Sequence, residues 1–245
     1  MPRVTHARCA RPGCGPGASA PRTPRKGCNP AMQRQNLPSA LRFYFITDDR
    51  APACAPVEQV RIALQAGATL IQYRNKSYTD DFLPEILLIR ELCEERGVPF
   101  LVNDHLELAR RVSADGVHLG QDDTSPAAAR RILGREAIIG ISVSTPSELR
   151  ATDLTPCDYL GTGPVFPTGT KADAKAVKGL SGLKEIVDLS PLPVVATGGI
   201  TAENAPACFK HGAAGVAVIS FISRAADPLA DALRLARACG VRNSR

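Results

Sequence analysis

The feature that most constrains this chain is a regular alternation of short apolar runs with longer amphipathic stretches, which starts near residue 42 and runs towards the C-terminus. The apolar runs have the length and composition of buried strands, and the stretches between them follow the helical period. Thr201, Asp227 and Asp80 are predicted to be N-caps. The predicted strands cover residues 42–47, 69–74, 100–103, 116–119, 138–142, 159–163, 193–197 and 215–220. The predicted helices lie near residues 57–66, 80–96, 105–112, 125–133, 146–151, 180–188, 202–211 and 227–239.

Eight strand–helix units in about 200 residues predict a single-domain (β/α)8 barrel, the TIM barrel of the α/β class. Connections between parallel strands are right-handed, so consecutive units close naturally into a barrel. A doubly wound open sheet is the competing architecture, and it usually contains fewer units. Similar helix-to-strand turns at 66–69, 113–117 and 212–216 support an internally repetitive βα fold. Active sites of such barrels lie at the C-terminal ends of the strands, so polar residues at those ends are the candidates.

Residues 1–40 form a basic extension rich in Pro and Gly, and the barrel is assigned to residues 41–245. The extension has almost no large aliphatic residues, so it cannot bury enough apolar area to offset the entropy of ordering, and disorder is expected. It lacks the apolar h-region of a signal peptide. Met32 is the only methionine besides Met1. An overextended reading frame, with translation from Met32, is therefore the alternative to a disordered tail.

The net charge of +6 does not indicate nucleic-acid binding, because it is concentrated in the extension. Residues 1–42 hold eight of the 30 Lys and Arg residues and no Asp or Glu, which leaves 22 basic against 24 acidic residues elsewhere. A nucleic-acid binder is expected to have a basic domain face. No stretch approaches the roughly 20 apolar residues that cross a bilayer. The eight cysteines form no C-x-x-C pair. We expect a soluble, cytoplasmic protein with buried free thiols and no membrane partner; a homo-oligomer is left open.

The second predicted strand ends in a cluster of polar and basic residues. Strand alternation places Gln72, Arg74 and Lys76 on the side of the barrel mouth, with Tyr73 and Asn75 on the other side. Two cations and an amide directed into a barrel mouth suit a phosphate or a diphosphate. A solvated loop is the alternative for an isolated Arg-x-Lys, but the position at a strand end favours a binding site.

Acidic residues follow the third and fourth predicted strands, at Asn103-Asp104 and Asp122-Asp123. Carboxylates at adjacent strand ends can share Mg²⁺, which takes one or two carboxylates together with substrate phosphate oxygens. Helix capping is the alternative for Asp123, which precedes Thr124-Ser125-Pro126. Capping would explain one of the two loops only, so a metal–diphosphate site is predicted opposite the basic residues.

Three further strand ends carry groups suited to anions. Ser142 ends the fifth strand and could donate to a phosphate oxygen, although a Ser at a helix entry is usually a cap. The loop 161–171 is rich in Gly, Pro and Thr, which is typical of a mobile lid. Gly198-Gly199 and Ile219-Ser220 follow the last two strands, where barrels often build a phosphate site from backbone N–H groups. The residues therefore predict two phosphate pockets.

Six motifs occur in the order seen in thiamine-phosphate synthases, so residues 42–240 resemble that family. The resemblance implies a transferase of thiamine biosynthesis that joins a pyrimidine methyl diphosphate to a thiazole phosphate, or to its carboxylated tautomer, and releases diphosphate. It also implies Mg²⁺ as cofactor, two small phosphorylated substrates as partners, and a dissociative mechanism. The motifs are Gln-x-Arg-x-Lys (72–76), Asn-Asp (103–104), Gly-Val-His-Leu-Gly-Gln-x-Asp (116–123), Gly-Pro-Val-Phe-Pro-Thr-x-Thr-Lys (163–171), Gly-Gly-Ile (198–200) and Val-Ala-Val-x-Ser (216–220).

Matched position by position, the resemblance implies three groups of site residues. No nucleophile–base pair is recognised among them, so they are expected to act by charge stabilisation and positioning. Arg74, Lys76, Ser142 and Lys171 are the candidate catalytic residues. The residues implied to hold the pyrimidine diphosphate are Gln72, Arg74, Lys76, Asn103, Ser142 and Lys171. Those implied to carry Mg²⁺ are Asp104 and Asp123. Those implied to hold the thiazole phosphate are Thr168, Gly169, Thr170, Gly199, Ile219 and Ser220.

Two positions depart from the family pattern: Asn75 stands where an acid is frequent, and Ser144 stands where a histidine is common. A thiazole tautomerase of the same fold is the first alternative function. It uses a histidine near position 144 and lacks the complete basic set, so this chain favours the synthase. A non-catalytic ligand-binding barrel is the second alternative, and a missing metal acid or cation would have favoured it. His118 matches a family motif, but a histidine within a strand is more often packed than catalytic.

Overall fold

The computed structural model describes residues 36–51, 54–169 and 176–241, and over these ranges the chain forms a closed barrel of eight parallel strands. Each strand pairs with the next along the chain, and the last pairs with the first. The predicted (β/α)8 architecture is therefore confirmed. The strands are β1 (Phe43–Ile46), β2 (Leu70–Tyr73), β3 (Phe100–Asn103), β4 (Gly116–Leu119), β5 (Ile138–Ser142), β6 (Tyr159–Thr162), β7 (Val194–Thr197) and β8 (Gly215–Val218).

Helices follow the strands in the predicted alternation. β3, β4 and β5 have the predicted bounds, whereas the other strands are one or two residues shorter than predicted. β8, for example, ends at Val218 because a helix already begins at Ser220. The helices are α1 (Leu37–Ala40), α2 (Pro56–Ala66), α3 (Leu83–Glu95), α4 (Leu106–Arg111), α5 (Pro126–Leu133), α6 (Pro146–Ala151), α7 (Gly179–Leu189), α8 (Ala205–Lys210), α9 (Ser220–Ser223) and α10 (Pro228–Ala238), with a 3-10 helix (Asp80–Phe82) before α3.

The strands separate two apolar layers, because successive side chains of a strand point to opposite faces. On β1, Tyr44 and Ile46 belong to the cluster inside the barrel, whereas Phe43 and Phe45 belong to the cluster between barrel and helices. The interior is apolar near the N-terminal ends of the strands and becomes polar towards their C-terminal ends. On β2, for example, Leu70 lies in the interior cluster and Gln72 lines a cavity above it. Strand alternation thus places polar groups at the barrel mouth.

Helix α1 packs against the barrel interior at the N-terminal ends of the strands. Leu37 and Leu41 are buried in the same cluster as Tyr44 and Leu70. Helix α1 was assigned from the sequence to the extension, so the packed unit includes these residues as well. Residues 1–35, which hold most of the predicted disordered extension, lie outside the described residues.

Of the three residues predicted to be helix N-caps, one is confirmed. The Asp227 carboxylate accepts from the Ala230 N–H at 3.0 Å and caps α10, as predicted. The predictions for Thr201 and Asp80 are wrong. The Thr201 hydroxyl accepts from the Asn204 N–H at 3.4 Å, within a turn that precedes α8. Asp80 lies inside the 3-10 helix, and its carboxylate accepts from Arg111 and Tyr78 instead of from a backbone N–H.

Four of the five described cysteines are buried, as predicted, and those five are all free thiols. Burial raises the pKa of Cys157 and Cys239 to about 12 and that of Cys208 to about 11. These thiols therefore stay protonated and unreactive at neutral pH. In the part of the chain that the structure describes, no helix combines the length and the apolar character that crossing a bilayer requires.

Candidate active site

Two adjoining cavities open at the C-terminal ends of the strands. The basic cavity, of about 530 Å³, contains the strand ends of β1 to β4 and reaches across to Tyr159 and Thr197. The glycine cavity, of about 230 Å³, lies over the ends of β6, β7 and β8. The two cavities are neighbours, because they share part of their walls. The shared residues are Gly120, Gln121, Asp122, Ser142, Gly161, Thr197 and Ala217.

The wall of the basic cavity contributed by β2 has the predicted alternation. Gln72, Arg74 and Lys76 line the cavity. Tyr73 and Asn75 face the helices, where the Asn75 amide donates to the Tyr73 hydroxyl at 3.2 Å. The side-chain oxygen Oδ1 of Asn75 also accepts from the Ser77 N–H at 2.8 Å and so shapes the turn after the strand. The departure from the family pattern at position 75 therefore lies outside the cavity wall.

Arg74 is held by its backbone and presents its guanidinium to the cavity. Its N–H donates to the Thr47 hydroxyl at 2.8 Å, which ties the end of β2 to the end of β1. The residue is only 8% exposed. Within residues 36–51, 54–169 and 176–241, no acceptor is hydrogen-bonded to its guanidinium. A guanidinium carries five N–H donors, so Arg74 is prepared for an anionic ligand.

Lys76, Asp104 and Asp123 form a charged cluster at the cavity mouth. The Lys76 ammonium donates to Oδ2 of Asp104. The Asp104 and Asp123 carboxyl groups share a side-chain hydrogen bond, and Oδ2 of Asp123 accepts from the Gly120 N–H at 2.6 Å. Asp104 has a φ of 61°, a conformation that Asp adopts more readily than most residues.

The two carboxyl groups compete for positive charge. Burial would raise the pKa of Asp104, but hydrogen bonds from Lys76 and Asp123 bring it below its usual value. Burial, together with the neighbouring Asp104, raises the pKa of Asp123. Two carboxyl groups in contact need a proton or a cation between them. The pair therefore offers hard oxygen ligands at a point where positive charge is in deficit. No cluster of three or more His, Cys, Asp or Glu residues arranged to hold a metal occurs among the described residues.

A chain of polar side chains crosses the floor of the basic cavity. Two of its central members, Tyr44 and Tyr159, were not singled out from the sequence, and the third, His118, was expected to have a packing role. Tyr44 contacts Tyr159 (Oη–Oη 2.9 Å), and the Tyr159 hydroxyl contacts Nδ1 of His118 at 2.9 Å. His118 and Tyr159 meet across β5 because Gly140 lies between them in register, and a Cβ there would be 2.2 Å from Cζ of Tyr159. The inward parity of the strands is the signal that could have identified these residues.

His118 also lies next to Ser142. Its Nε2 is 2.9 Å from the Ser142 hydroxyl oxygen, a serine–histidine contact that was not recognised from the sequence. The other ring nitrogen faces a tyrosine hydroxyl, at the position that a carboxylate takes in a Ser-His-Asp triad. Ser142 is further fixed through its carbonyl, which accepts from the Gln121 amide at 2.7 Å.

The floor of the glycine cavity is the turn at Gly198 and Gly199. Both have positive φ, of 87° and 66°, which glycine adopts without steric cost. A Cβ on Gly199 would lie 2.5 Å from the carbonyl oxygen of Pro167. The loop after β6 lies directly on this turn, since the Phe166 N–H donates to the Gly198 carbonyl at 3.0 Å. The described part of the predicted mobile lid is thus anchored to β7.

The structure brings most of the predicted site residues together in the two cavities. Asn103 and Ser142 line the basic cavity with the residues discussed above. Thr168, Gly199, Ile219 and Ser220 line the glycine cavity, together with Ser144. Gly169 is exposed and does not line either cavity. Thr170 and Lys171 lie outside the described residues.

One ion pair that was not predicted from the sequence joins the loop after β1 to the end of helix α9. Asp48, after β1, is buried, and its Oδ2 accepts from Arg224 Nε at 2.8 Å and from the Ser223 hydroxyl at 3.1 Å. Gln59 fixes the same loop by donating to the Asp48 carbonyl at 2.9 Å. These contacts hold α9 and its Ser220 end, on the rim of the glycine cavity.

These features define a class of protein: a TIM barrel whose mouth carries a cationic cavity, a carboxylate pair and an adjoining glycine-lined cavity, all suited to anionic ligands. Residues 43–222 match the family model described as thiamine monophosphate synthase. The chain belongs to this family, and it is accordingly a transferase of thiamine biosynthesis.

Individual relatives agree with the family model. The chain is 40% identical over 206 residues to the thiamine-phosphate synthase of Bacillus velezensis, covering 82% of this chain and 92% of that protein. It is 45% identical over 200 residues to that of Moorella thermoacetica, covering 81% and 95%. Among solved structures, the thiamine phosphate pyrophosphorylase of Pyrococcus furiosus superposes with a TM-score of 0.76 at 38% identity, covering 84% of this chain and 98% of that one. The resemblance noted in the sequence is therefore confirmed.

Proposed function

We propose that this protein joins 4-amino-2-methyl-5-(diphosphooxymethyl)pyrimidine to a thiazole phosphate, giving thiamine phosphate and diphosphate. The observation that carries the proposal is the pair of cavities that share a wall, one cationic with a carboxylate pair and one lined by glycines. The pyrimidine diphosphate would occupy the basic cavity, and the thiazole phosphate would occupy the glycine cavity. The reacting atoms would then meet at the shared wall, near Ser142 and Gly161.

The residues at the mouth of the basic cavity fit a magnesium ion. Asp104 and Asp123 provide adjacent carboxylate oxygens, which suit Mg²⁺ when substrate phosphate oxygens complete its coordination. Bound Mg²⁺ would supply positive charge to the oxygens of the leaving diphosphate. Its binding would also relieve the competition between the two carboxyl groups for a single proton.

In the proposed reaction, the bond between the methylene carbon and the diphosphate oxygen breaks, and its electron pair leaves with the diphosphate. The lone pair of the thiazole nitrogen then forms the new carbon–nitrogen bond. Arg74 and Lys76 would stabilise the charge that develops on the diphosphate, and Lys171 is proposed to assist them. Ser142 and Gln72 would hold the pyrimidine in line for the attack.

The thiazole phosphate would be held by backbone and hydroxyl groups of the glycine cavity. The turn at Gly198 and Gly199 lets the backbone approach the phosphate closely. Thr168 and Ser220 lie in the same wall and offer hydroxyl donors. Gly169 and Thr170, which the resemblance also implies, remain part of the proposal. The tautomerase alternative is not favoured, because position 144 in this wall is a serine.

A coupled assay tests the proposal: the purified protein is mixed with both substrates and Mg²⁺, and thiamine phosphate and diphosphate are quantified. We expect equal amounts of the two products, and none when either substrate is left out or when the metal is chelated. An active preparation that turns over the thiazole carboxylate tautomer without any pyrimidine diphosphate would instead identify a tautomerase. Failure to form thiamine phosphate in the complete mixture would refute the proposal.

A further inference from the structure

A continuous hydrogen-bond relay runs along the floor of the basic cavity, through five side chains from five strands. The Gln72 amide Nε2 lies 2.5 Å from the Tyr44 hydroxyl oxygen, and Tyr44 contacts Tyr159 at 2.9 Å. From Tyr159 the relay passes to Nδ1 of His118, and from Nε2 of His118 to the hydroxyl of Ser142, each step over 2.9 Å. All five side chains line the cavity, and Gln72 and Ser142 are the two ends of the relay.

The directions of the bonds within this relay are coupled. A tyrosine hydroxyl has one proton, and a neutral imidazole has one N–H and one acceptor nitrogen. Tyr44 and Tyr159 are 1% and 0% exposed, so their hydroxyl groups depend on these protein partners. Burial also raises the pKa of both hydroxyl groups, which keeps them protonated. Each central member therefore donates to one neighbour and accepts from the other, and all four bonds point the same way.

The orientation of the Gln72 amide, whose Nε2 faces the Tyr44 hydroxyl, selects one of the two directions. The Gln72 Nε2 can only donate, so Tyr44 must donate to Tyr159, and Tyr159 must donate to Nδ1 of His118. The proton of His118 then lies on Nε2 and is donated to the Ser142 oxygen. This direction leaves the acceptor Oε1 and the second Nε2–H of Gln72 in fixed positions at one end, and a hydroxyl donor at the Ser142 end. Rotating the Gln72 amide by 180° would place Oε1 at Tyr44, and every other member of the relay would then have to exchange its donor and acceptor roles.

We propose that Tyr44, Tyr159 and His118 are specificity-determining residues, which fix the hydrogen-bond polarity of Gln72 and Ser142 so that the basic cavity selects a 4-aminopyrimidine over a 4-oxopyrimidine. This inference rests on the proposed placement of the pyrimidine in that cavity. A 4-aminopyrimidine carries an amino donor for Gln72 and unprotonated ring nitrogens that accept from Ser142. A 4-oxo ring presents a carbonyl to the Gln72 acceptor, which leaves buried polar groups unpaired, and such mismatches give strong discrimination.

The first test measures binding of the two pyrimidine methyl diphosphates, 4-amino and 4-oxo, by calorimetry with Mg²⁺ and without thiazole phosphate. In the wild-type protein we expect the 4-amino compound to bind at least about a hundredfold more tightly. Tyr159→Phe interrupts the relay, so Gln72 and Ser142 can each reorient independently. In this variant the ratio of the affinities for the 4-amino and 4-oxo compounds should fall by about tenfold or more. Tyr73→Phe is the matched control, because it removes a tyrosine hydroxyl that contacts Asn75 and Glu85 on the helix side. It should leave the ratio unchanged.

The second test determines which ring nitrogen of His118 carries the proton, by ¹⁵N NMR of the ligand-free protein. We expect the wild-type ring to carry its proton on Nε2, and Tyr159→Phe to lose this preference. A proton on Nδ1 in the wild type, or an unchanged binding ratio in Tyr159→Phe, would overturn the inference. The outcome for the proposed reaction is separate: if both tests succeed and no thiamine phosphate forms in the coupled assay, the selectivity stands and the proposed reaction falls.

Discussion

The Lys76 ammonium donates a hydrogen bond to the Asp104 carboxylate, so a cation from the end of β2 is paired with an acid from the end of β3. Asp104 in turn contacts the carboxyl group of Asp123. A metal ion bound to these acids would compete with Lys76 for Asp104 and would free the ammonium for a phosphate oxygen. Lys76 and Asp104 are therefore coupled: a metal ion on Asp104 would leave the Lys76 ammonium available to a phosphate oxygen, and without the metal the ammonium is paired with Asp104.

We predict that Asp104→Ala lowers the turnover of thiamine phosphate formation by at least about a hundredfold, since the proposed metal loses a carboxylate ligand. Saturation with Mg²⁺ should shift to higher concentrations in the same variant. The measurement is a set of initial rates over a range of Mg²⁺ concentrations. Asp80→Ala is the control, because Asp80 is an exposed carboxylate paired with Arg111 away from both cavities. Near-wild-type rates in Asp104→Ala would show that the metal lies elsewhere.

We predict that Arg74→Ala also lowers turnover by at least about a hundredfold, because a buried guanidinium beside the leaving diphosphate stabilises charge strongly. The melting temperature should change little, since no described protein acceptor bonds this guanidinium. Rates and thermal unfolding are compared with those of Arg110→Ala, in which an exposed arginine paired with Glu107 is removed. A variant that loses stability but keeps its turnover would mean that Arg74 has a structural role only.

The strand parity of the site could be read from the sequence, because the alternation of side chains is a local property of a strand. It placed Gln72, Arg74 and Lys76 on one face without knowledge of the rest of the fold. The pairing of the third and fourth strand ends likewise follows from the order of the strands around the barrel, which placed Asp104 beside Asp123.

The contacts that depend on register and on distant partners could not be predicted in the same way. His118 reaches Tyr159 only because Gly140 lies between them, and this requires the exact stagger of β4, β5 and β6. The Asp48–Arg224 pair joins residues 176 positions apart, across the closure of the barrel. Inward parity can mark His118 and Tyr159 one by one as residues of the barrel interior, but neither contact leaves a periodic or compositional signal, so the two pairings became visible only in three dimensions.

The same Asp48–Arg224 pair makes stability depend on pH. Burial would raise the pKa of Asp48, but the hydrogen bond and charge of Arg224, with the N–H of Arg50 and the Ser223 hydroxyl, hold it below its usual value. A carboxyl group whose pKa is lower in the folded protein stabilises the fold fully above its unfolded pKa, near 4. That contribution is lost as the pH falls through the lowered pKa of the folded state.

We therefore predict that Asp48→Asn destabilises the protein by about 1–3 kcal/mol at pH 7, and that the difference from wild type shrinks as the pH falls below about 4. Urea unfolding at pH 7 and at a series of acidic pH values measures it. Asp81→Asn, which changes an exposed carboxylate, is the control and should show no such difference at pH 7. A destabilisation that is equal at all pH values would contradict an origin in the ion pair.

Finally, we predict that Gly199→Ala raises the KM for thiazole phosphate by about tenfold or more and leaves that for the pyrimidine diphosphate nearly unchanged. A Cβ at this position has two costs: a positive φ of 66°, which costs an alanine about 1–2 kcal/mol, and a contact of 2.5 Å with the Pro167 carbonyl. Gly97→Ala separates them, because Gly97 has a φ of 63° and nothing within 4 Å of its Cβ position. Both variants should lose the stability that the positive φ costs, but only Gly199→Ala should lose more than that and displace the loop after β6. Equal KM values for thiazole phosphate in the two variants would show that the turn at Gly198 and Gly199 does not form the phosphate site.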